Sequence, residues 1–227
     1  MAEERRLLAR IAPSLFGYHL LQLGALGDDV AYLQGCPIHA RTLAIPGALG
    51  VVGAPVLRAE PERLPVGADT MDAVLLPHTL DLADDPHQVL REAERVLVPE
   101  GRLVAIGFNP WSLWGVRRLL GPRARAPWYG HFIGYPRLHD WLSLLGFGID
   151  RVEVLMFRPP VGTAALQARL EFLDRVGERF LPMVAGVYVV LAVKRVSTLT
   201  PVKLPWQRRS AIRRRLVEPS TRGMRRG

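Results

Sequence analysis

The stretch Glu60-Pro-Glu-Arg-Leu-Pro-Val-Gly-Ala-Asp-Thr-Met-Asp-Ala-Val-Leu-Leu-Pro-His-Thr-Leu-Asp-Leu-Ala-Asp-Asp-Pro86, continued after one helix by Arg95-Val-Leu-Val-Pro-Glu-Gly-Arg-Leu-Val-Ala-Ile-Gly-Phe-Asn109, decides how this chain folds. Met71 to Leu76 is a short apolar run of the kind a parallel sheet buries on both faces. Asp84 or Asp85 is placed to cap a helix with Pro86 at its first position, because a carboxylate there accepts from the free amides of the first turn. Val89, Leu90, Ala93, Val96 and Leu97 recur at helical spacing and make its buried stripe, with Glu92 and Glu94 on the solvated side. Pro99 and Gly101 end that helix, and Arg102 to Phe108 reads as the next strand. This is one strand–helix–strand unit, whose right-handed crossover makes the two strands parallel neighbours or near-neighbours.

Outward from that unit, residues 1–17 read as a helical lead-in with Leu7, Leu8 and Ile11 on one side, stopped by Pro13 and Gly17. Tyr18 to Leu23 is a first strand, and Gly24-Ala25-Leu26-Gly27 its turn; Asp28 and Asp29 start a short helix ending near Gly35. Arg41 to Ile45 and Pro55 to Arg58 are the second and third strands, so those of the opening stretch are the fourth and fifth. Trp111 to Leu120 and Pro136 to Leu145 are helices, separated by a loop rich in Pro and Arg. Ile149 to Met156 and Val187 to Arg195 alternate well enough to be a final antiparallel pair, with Ala164 to Phe180 as a helical insertion between them.

Ala59-Glu60, Leu64-Pro65, Asp72, His78 to Leu82, Asp85-Pro86 and Arg95 to Gly101 fall in one register. In that order they resemble the second half of the class I S-adenosylmethionine-dependent methyltransferases, in particular the type 11 subgroup. The resemblance implies an α/β, three-layer Rossmann-like sheet of seven strands. It would be mostly parallel, with an antiparallel edge pair at the C-terminal end, in a domain spanning 1–195. The implied cofactor is S-adenosyl-L-methionine, seated over the loops after the first four strands, at the topological switch point.

Carried onto this chain, the family's cofactor-facing positions are Gln22, Gly24, Gly27, Pro46, Arg58 and Glu60, with Leu76 and His78 at the end of the fourth strand. Gly24 matches a family glycine, which lets backbone approach the cofactor closely. Gln22 stands in place of an acid, Leu26 of the middle glycine and Asp28 of the last, while Gly27 can supply a shifted turn. The second strand ends Ile45-Pro46-Gly47 with no carboxylate for the ribose hydroxyls. Arg58 stands where an Asp is usual, and Glu60 matches the acidic position after it. For His78 two readings stand side by side: contact near the transferred methyl group, or capping of local backbone in a polar loop. Past the fifth strand, Asn109, Trp111, Trp114, Trp128, Tyr129 and His131 form either a substrate pocket or a lid packed on the sheet edge.

No metal is expected: helix capping accounts for Asp81, Asp84 and Asp85, and no Cys/His spacing suits zinc. Methyl transfer is an in-line displacement that relies on positioning and exclusion of water, so it requires no catalytic triad. No Gly-x-Ser-x-Gly elbow or Gly-Lys-Ser/Thr phosphate loop is present, which disfavours hydrolase and nucleotidase chemistry. Two functional classes therefore remain: a methyltransferase acting on an unidentified acceptor, a small molecule among the candidates, and a catalytically silent fold serving as a binding module.

The 227 residues are 49% hydrophobic and 22% charged, an ordinary globular composition with a net charge of +9. That charge is uneven: residues 196–227 carry +8 and residues 1–195 only +1. The basic tail is expected to be disordered, with weak affinity for nucleic acid or an anionic surface by counterion release. Cys36 is the single cysteine, which excludes an intrachain disulfide framework and suits a reducing cytoplasm. The start, Met-Ala-Glu-Glu-Arg-Arg, carries acids and no following apolar region, unlike a secretory leader. The longest apolar run, Phe180 to Val193, is interrupted by Pro182 and Gly186 and reads as core strand, not a membrane span.

Overall fold

The apolar run at Met71 sits in the middle of the sheet, flanked on both sides by parallel neighbours. A computed structural model describes residues 2–24, 36–46, 55–122, 127–157 and 184–195. In chain order its elements are α1 (Ala2–Ile11), β1 (His19–Leu23), β2 (Ala40–Ile45), β3 (Val56–Arg58), β4 (Met71–Pro77), α2 (Thr79–Leu82), α3 (Pro86–Val96), β5 (Leu97–Phe108), α4 (Leu113–Leu120), α5 (Tyr135–Leu144), β6 (Phe147–Leu155) and β7 (Val187–Lys194). The strands form one sheet in the order β3-β2-β1-β4-β5-β7-β6. β1 to β5 run parallel, and β7 lies antiparallel between β5 and β6.

Period-two alternation divides the core. Leu21, Val74, Leu76, Leu103 and Val190 point to the face covered by α3 and α5, where Val89, Leu90, Leu138 and Leu142 meet them. Leu20, Leu75, Val104, Ile106 and Val189 point to the opposite face, under Leu7, Leu8 and Ile11 of α1. Asp85, not Asp84, caps α3: its Oδ1 accepts from the Gln88 N–H at 3.0 Å. Such a cap is worth about 1 kcal/mol. Burying Val89, Leu90 and Val96 contributes roughly 1.5–3 kcal/mol each. Packing therefore sets where this helix lies, and the cap sets where it starts.

Three expectations need correction. The Pro-Glu-Gly segment does not separate helix from strand, because β5 already begins at Leu97. Met71 pairs with Leu97 and Ala73 with Arg102, so Val98 to Gly101 form a bulge inside the strand, with Glu100 at φ 62°. A Cβ on Gly101 would stand 2.7 Å from the Val98 carbonyl oxygen, which is why glycine is needed there. The polar loop after β4 contains a helical turn, α2. Glu92 is not solvated: its Oε2 accepts from the Leu64 N–H at 2.9 Å and from Arg95 Nη2 at 2.8 Å. The expected helices after Asp28 and over Ala164 to Phe180, and the tail 196–227, lie outside the described residues. Among the described residues, no helix is long and apolar enough to cross a membrane.

The Glu92–Arg95 pair explains two of the matched motifs at once. Arg95 also donates Nη1 to the Val66 carbonyl at 2.9 Å and Nη2 to the Leu64 carbonyl at 3.0 Å. The Leu64-Pro65 loop is thereby strapped to α3 by one planar guanidinium. Arg95→Ala is expected to lower the unfolding free energy by about 1–3 kcal/mol in urea melts, since several part-buried acceptors lose their donor together. Arg95→Lys should recover only part of that loss, because an ammonium cannot reproduce the fork.

Candidate functional site at the carboxyl ends of β1 and β4

Strand order reverses between β1 and β4, so the connections leaving their carboxyl ends diverge and open a crevice. Gly24 stands at that point with φ +75°, and its N–H donates to the Ala44 carbonyl at 2.8 Å. A Cβ here would lie 3.2 Å from Thr79 Oγ1, whose hydroxyl donates to the Leu23 carbonyl, so the two loops meet closely. Gln22 is buried and folds its amide back, Nε2 donating to the Gly24 carbonyl at 3.2 Å. Pro46 is exposed at the end of β2. Arg58 and Glu60 are exposed around the end of β3, where the Ala59 N–H donates to the Ile45 carbonyl at 3.0 Å. Leu76 is fully buried in the core under α3, so its side chain serves packing. Gly27, Leu26, Asp28 and Gly47 lie outside the described residues.

His78 is completely buried and held between two buried carboxylates. Its Nε2 lies 3.4 Å from Glu4 Oε1 and its Nδ1 lies 3.5 Å from Asp81 Oδ2. The ring stacks on Phe108 with centroids 4.0 Å apart. Its backbone adopts the left-handed region (φ 55°), a conformation that costs a non-glycine residue about 1–2 kcal/mol. Neither expected role describes this histidine: it does not cap backbone, and it is enclosed beneath α1 within a charged cluster. Burial pushes the imidazole down, but Asp81 and Glu4 outweigh it and hold His78 above its ordinary value. At Glu4 burial pushes up and His78 more than offsets it, leaving the carboxyl lowered. At Asp81 burial prevails over His78 and two amide donors, leaving the carboxyl raised. Glu4 is therefore the partner that keeps its charge against His78 most readily.

Asp81 does more than face His78. Its Oδ2 accepts from the Phe108 N–H at 2.9 Å and its Oδ1 from the Ile133 N–H at 3.2 Å, while its carbonyl accepts from the His131 N–H at 2.6 Å. Glu4, Phe108 and Phe132 were not among the residues the sequence singled out, while Asp81, expected to cap a helix, instead turns its buried carboxylate to His78 and to the Phe108 and Ile133 amides. Glu4 did carry a signal: it shares the apolar stripe of α1 at the i, i+4, i+7 positions Glu4, Leu8 and Ile11.

The aromatic group past β5 divides in two. Trp114 stacks on Phe108 at 5.6 Å and on Trp128 at 5.7 Å, and Phe132 joins Phe108 at 4.8 Å. Arg117 lies over Trp128 and Arg118 over Phe132. Trp111, Tyr129 and His131 instead expose their side chains. Asn109 acts locally, its Oδ1 accepting from the Trp111 N–H at 3.0 Å. Beside the stack, Pro110, Gly115, Leu119 and Phe132 line a recess of about 210 Å³.

This sheet order, with its switch point between β1 and β4 and its inserted antiparallel β7, defines a class I methyltransferase fold. Within that class, a family model described as a methyltransferase domain matches residues 18–105. A structure of an S-adenosylmethionine-dependent methyltransferase from Mesorhizobium loti superposes with a TM-score of 0.58 at 17% identity, covering 83% of this chain and 96% of that one. The [4+2]-cyclase SpnF superposes with a TM-score of 0.59 at 19% identity, covering 86% of this chain and 80% of that one. An uncharacterized protein of Escherichia coli (strain K12), YafS, is 37% identical over 137 residues, 60% of this chain. The chain spans 55% of the length of that relative.

The described residues fit S-adenosylmethionine at two of the family's contacts. Gly24 presents main chain free of side-chain bulk, and Glu60 presents an exposed carboxylate just past β3. The end of β2 offers no carboxylate, since Pro46 occupies it.

His78→Gln leaves two carboxylates buried without a cation, and should lower stability by about 3–5 kcal/mol. The raised His78 contributes fully below its ordinary value of 6.5 and loses its contribution as pH climbs through its higher folded value. The lowered Glu4 contributes above 4.5 and loses its contribution as pH falls through its lower folded value. The stability gap between parent and variant, read by denaturant melts across pH, should therefore be widest between 4.5 and 6.5 and shrink in alkali. A gap independent of pH would show that the cluster carries no ionic pairing.

Proposed function

We propose that this chain is an S-adenosylmethionine-dependent methyltransferase acting on an apolar or aromatic acceptor. The observation that carries the reading is Gly24, a left-handed glycine at the β1/β4 switch point within the segment that matches the methyltransferase domain. Gly24 and Glu60 would hold the cofactor, which when bound supplies an electrophilic methyl group on its sulfonium. The chain's own task is then to orient the acceptor and keep water out, which is where most of the rate of such a displacement arises. The stacked Trp114, Trp128 and Phe132 form a stiff apolar wall suited to a flat or greasy acceptor. Their anchoring through Phe108 to the buried His78 keeps that wall in register with the end of β4.

A second reading has its own support. Pro46 at the end of β2 and the exposed Arg58 after it remove the carboxylates expected there, which favours a methyltransferase fold retained as a binding module without catalysis. The SpnF comparison adds that one protein of this fold is described by a different reaction.

Calorimetric titration with S-adenosylhomocysteine separates the two. The enzyme reading expects saturable binding, and no heat at ligand concentrations of about 1 mM, the upper end of ordinary enzyme affinities, would sink it. Gly24→Asp should abolish the binding, because a side chain at φ +75° is strained and crowds Thr79. Unchanged binding by a folded Gly24→Asp protein would move the site away from β1.

A further inference from the structure

The recess beside the aromatic stack joins an apolar wall to one guanidinium. Pro110, Trp111, Gly115, Arg118, Leu119 and Phe132 line about 210 Å³. Two contacts tie it to the mouth of the sheet. Its Phe132 stacks on Phe108, which stacks on His78 just past β4. Its Arg118 donates Nε to the Gly130 carbonyl at 2.6 Å, and Gly130 packs against the Asp81 carbonyl. The recess therefore lies at the carboxyl ends of β4 and β5, the same end of the sheet as the β1/β4 switch point.

Arg118 is fixed in place but uncommitted. Its Nε bond and the Phe132 ring, whose centroid is 5.3 Å from its Cζ, hold the side chain. Among the described residues no carboxylate pairs with it, and its Nη groups donate to no protein acceptor. No Asp or Glu occurs from Gly101 to His139, the stretch that supplies every lining residue. Asp81, which borders that stretch, has its oxygens on the Phe108 and Ile133 amides. A guanidinium placed in advance loses little freedom when it pairs, and its planar fork matches a carboxylate.

Size and polarity narrow the ligand further. Trp111 and Leu119 are 81% and 69% exposed, so a ring seated in the recess removes hydrocarbon from water on both partners. At roughly 30 Å³ per water the space holds about seven waters, below the range of about 300–1,000 Å³ that drug-sized ligands require. One aromatic ring with a short acidic arm is the size that fits.

We infer that this recess is a binding site for a small aromatic carboxylate, with the ring against Phe132 and Trp111 and the carboxylate on Arg118. That the bound acid is the methyl acceptor rests on the methyltransferase reading; that it binds does not.

The test is calorimetric titration of the full-length protein, without cofactor, with phenylacetate and with phenylacetamide, a neutral molecule of the same shape. Phenylacetate should saturate with a Kd of about 1 mM, and phenylacetamide should bind about tenfold more weakly or worse. Arg118→Gln should remove that preference by weakening phenylacetate alone. Leu119→Glu, at an exposed position, should weaken phenylacetate about tenfold through like charge and leave the thermal melt unchanged, so it decides the matter even if Arg118→Gln does not fold. The inference is overturned by a parent that phenylacetate does not saturate at about 10 mM, or that binds the two probes equally. A folded Arg118→Gln protein that keeps the preference, or a Leu119→Glu protein that binds phenylacetate like the parent, would overturn it as well. No cofactor is present, so these outcomes are separate from a failed S-adenosylhomocysteine titration, which would leave the recess a ligand site and remove only its role for the acceptor.

Discussion

The carboxylate of Asp81 holds the mouth of the sheet together. It lies in α2, accepts the Phe108 amide at the end of β5 and the Ile133 amide ahead of α5, and faces His78, which in turn faces Glu4 on α1. Hydrogen bonds to a charged acceptor contribute roughly 1.5–3 kcal/mol each, against the several kcal/mol that burying a carboxylate costs. The cluster is therefore poor value as a stabiliser. Its return is geometry: four separately coded segments converge on one buried residue, and Gly130 lacks a side chain because the Asp81 carbonyl occupies that space.

The molecule thus divides its labour. Aliphatic side chains alternating across β4, β5 and β7 build the sheet and would tolerate many exchanges of similar volume. The carboxyl ends are held by directional contacts, with ring stacking running from His78 through Phe108 and Trp114 to Trp128. The methyl transfer proposed above would need this second kind of order, since small displacements of a reacting centre are costly in rate.

Much of the fold could be read from the chain because its signals are local. Met71 to Leu76, the α3 stripe and the helices ending at Leu120 and near Leu144 announce themselves by periodicity and punctuation. The Val98 to Gly101 bulge was hidden because Pro-Glu-Gly carries the same residues whether a helix stops or a strand kinks. At the mouth the limit is different. Nothing near His78 in sequence reveals that its partner is Glu4, since the contact arises only when α1 lies across the sheet. An acid on the apolar stripe of α1 hinted at a buried partner but not at its identity. The aromatic residues were visible as a group, yet which of them stack depends on where Phe108 and Phe132 point.

The inserted position of β7 sets a condition on biosynthesis. Among the described residues β6 pairs only with β7, which follows it in the chain, and β7 separates β6 from β5. As the polypeptide leaves the ribosome, Phe147 to Leu155 therefore emerges with its eventual neighbour still unsynthesised, and the outer flank of β5 stays bare for the same interval. Open strand edges of this kind invite mispairing. Completion waits for Val187 to Lys194 to slot between the two, so the last of the described strands to be translated is the one that closes the sheet.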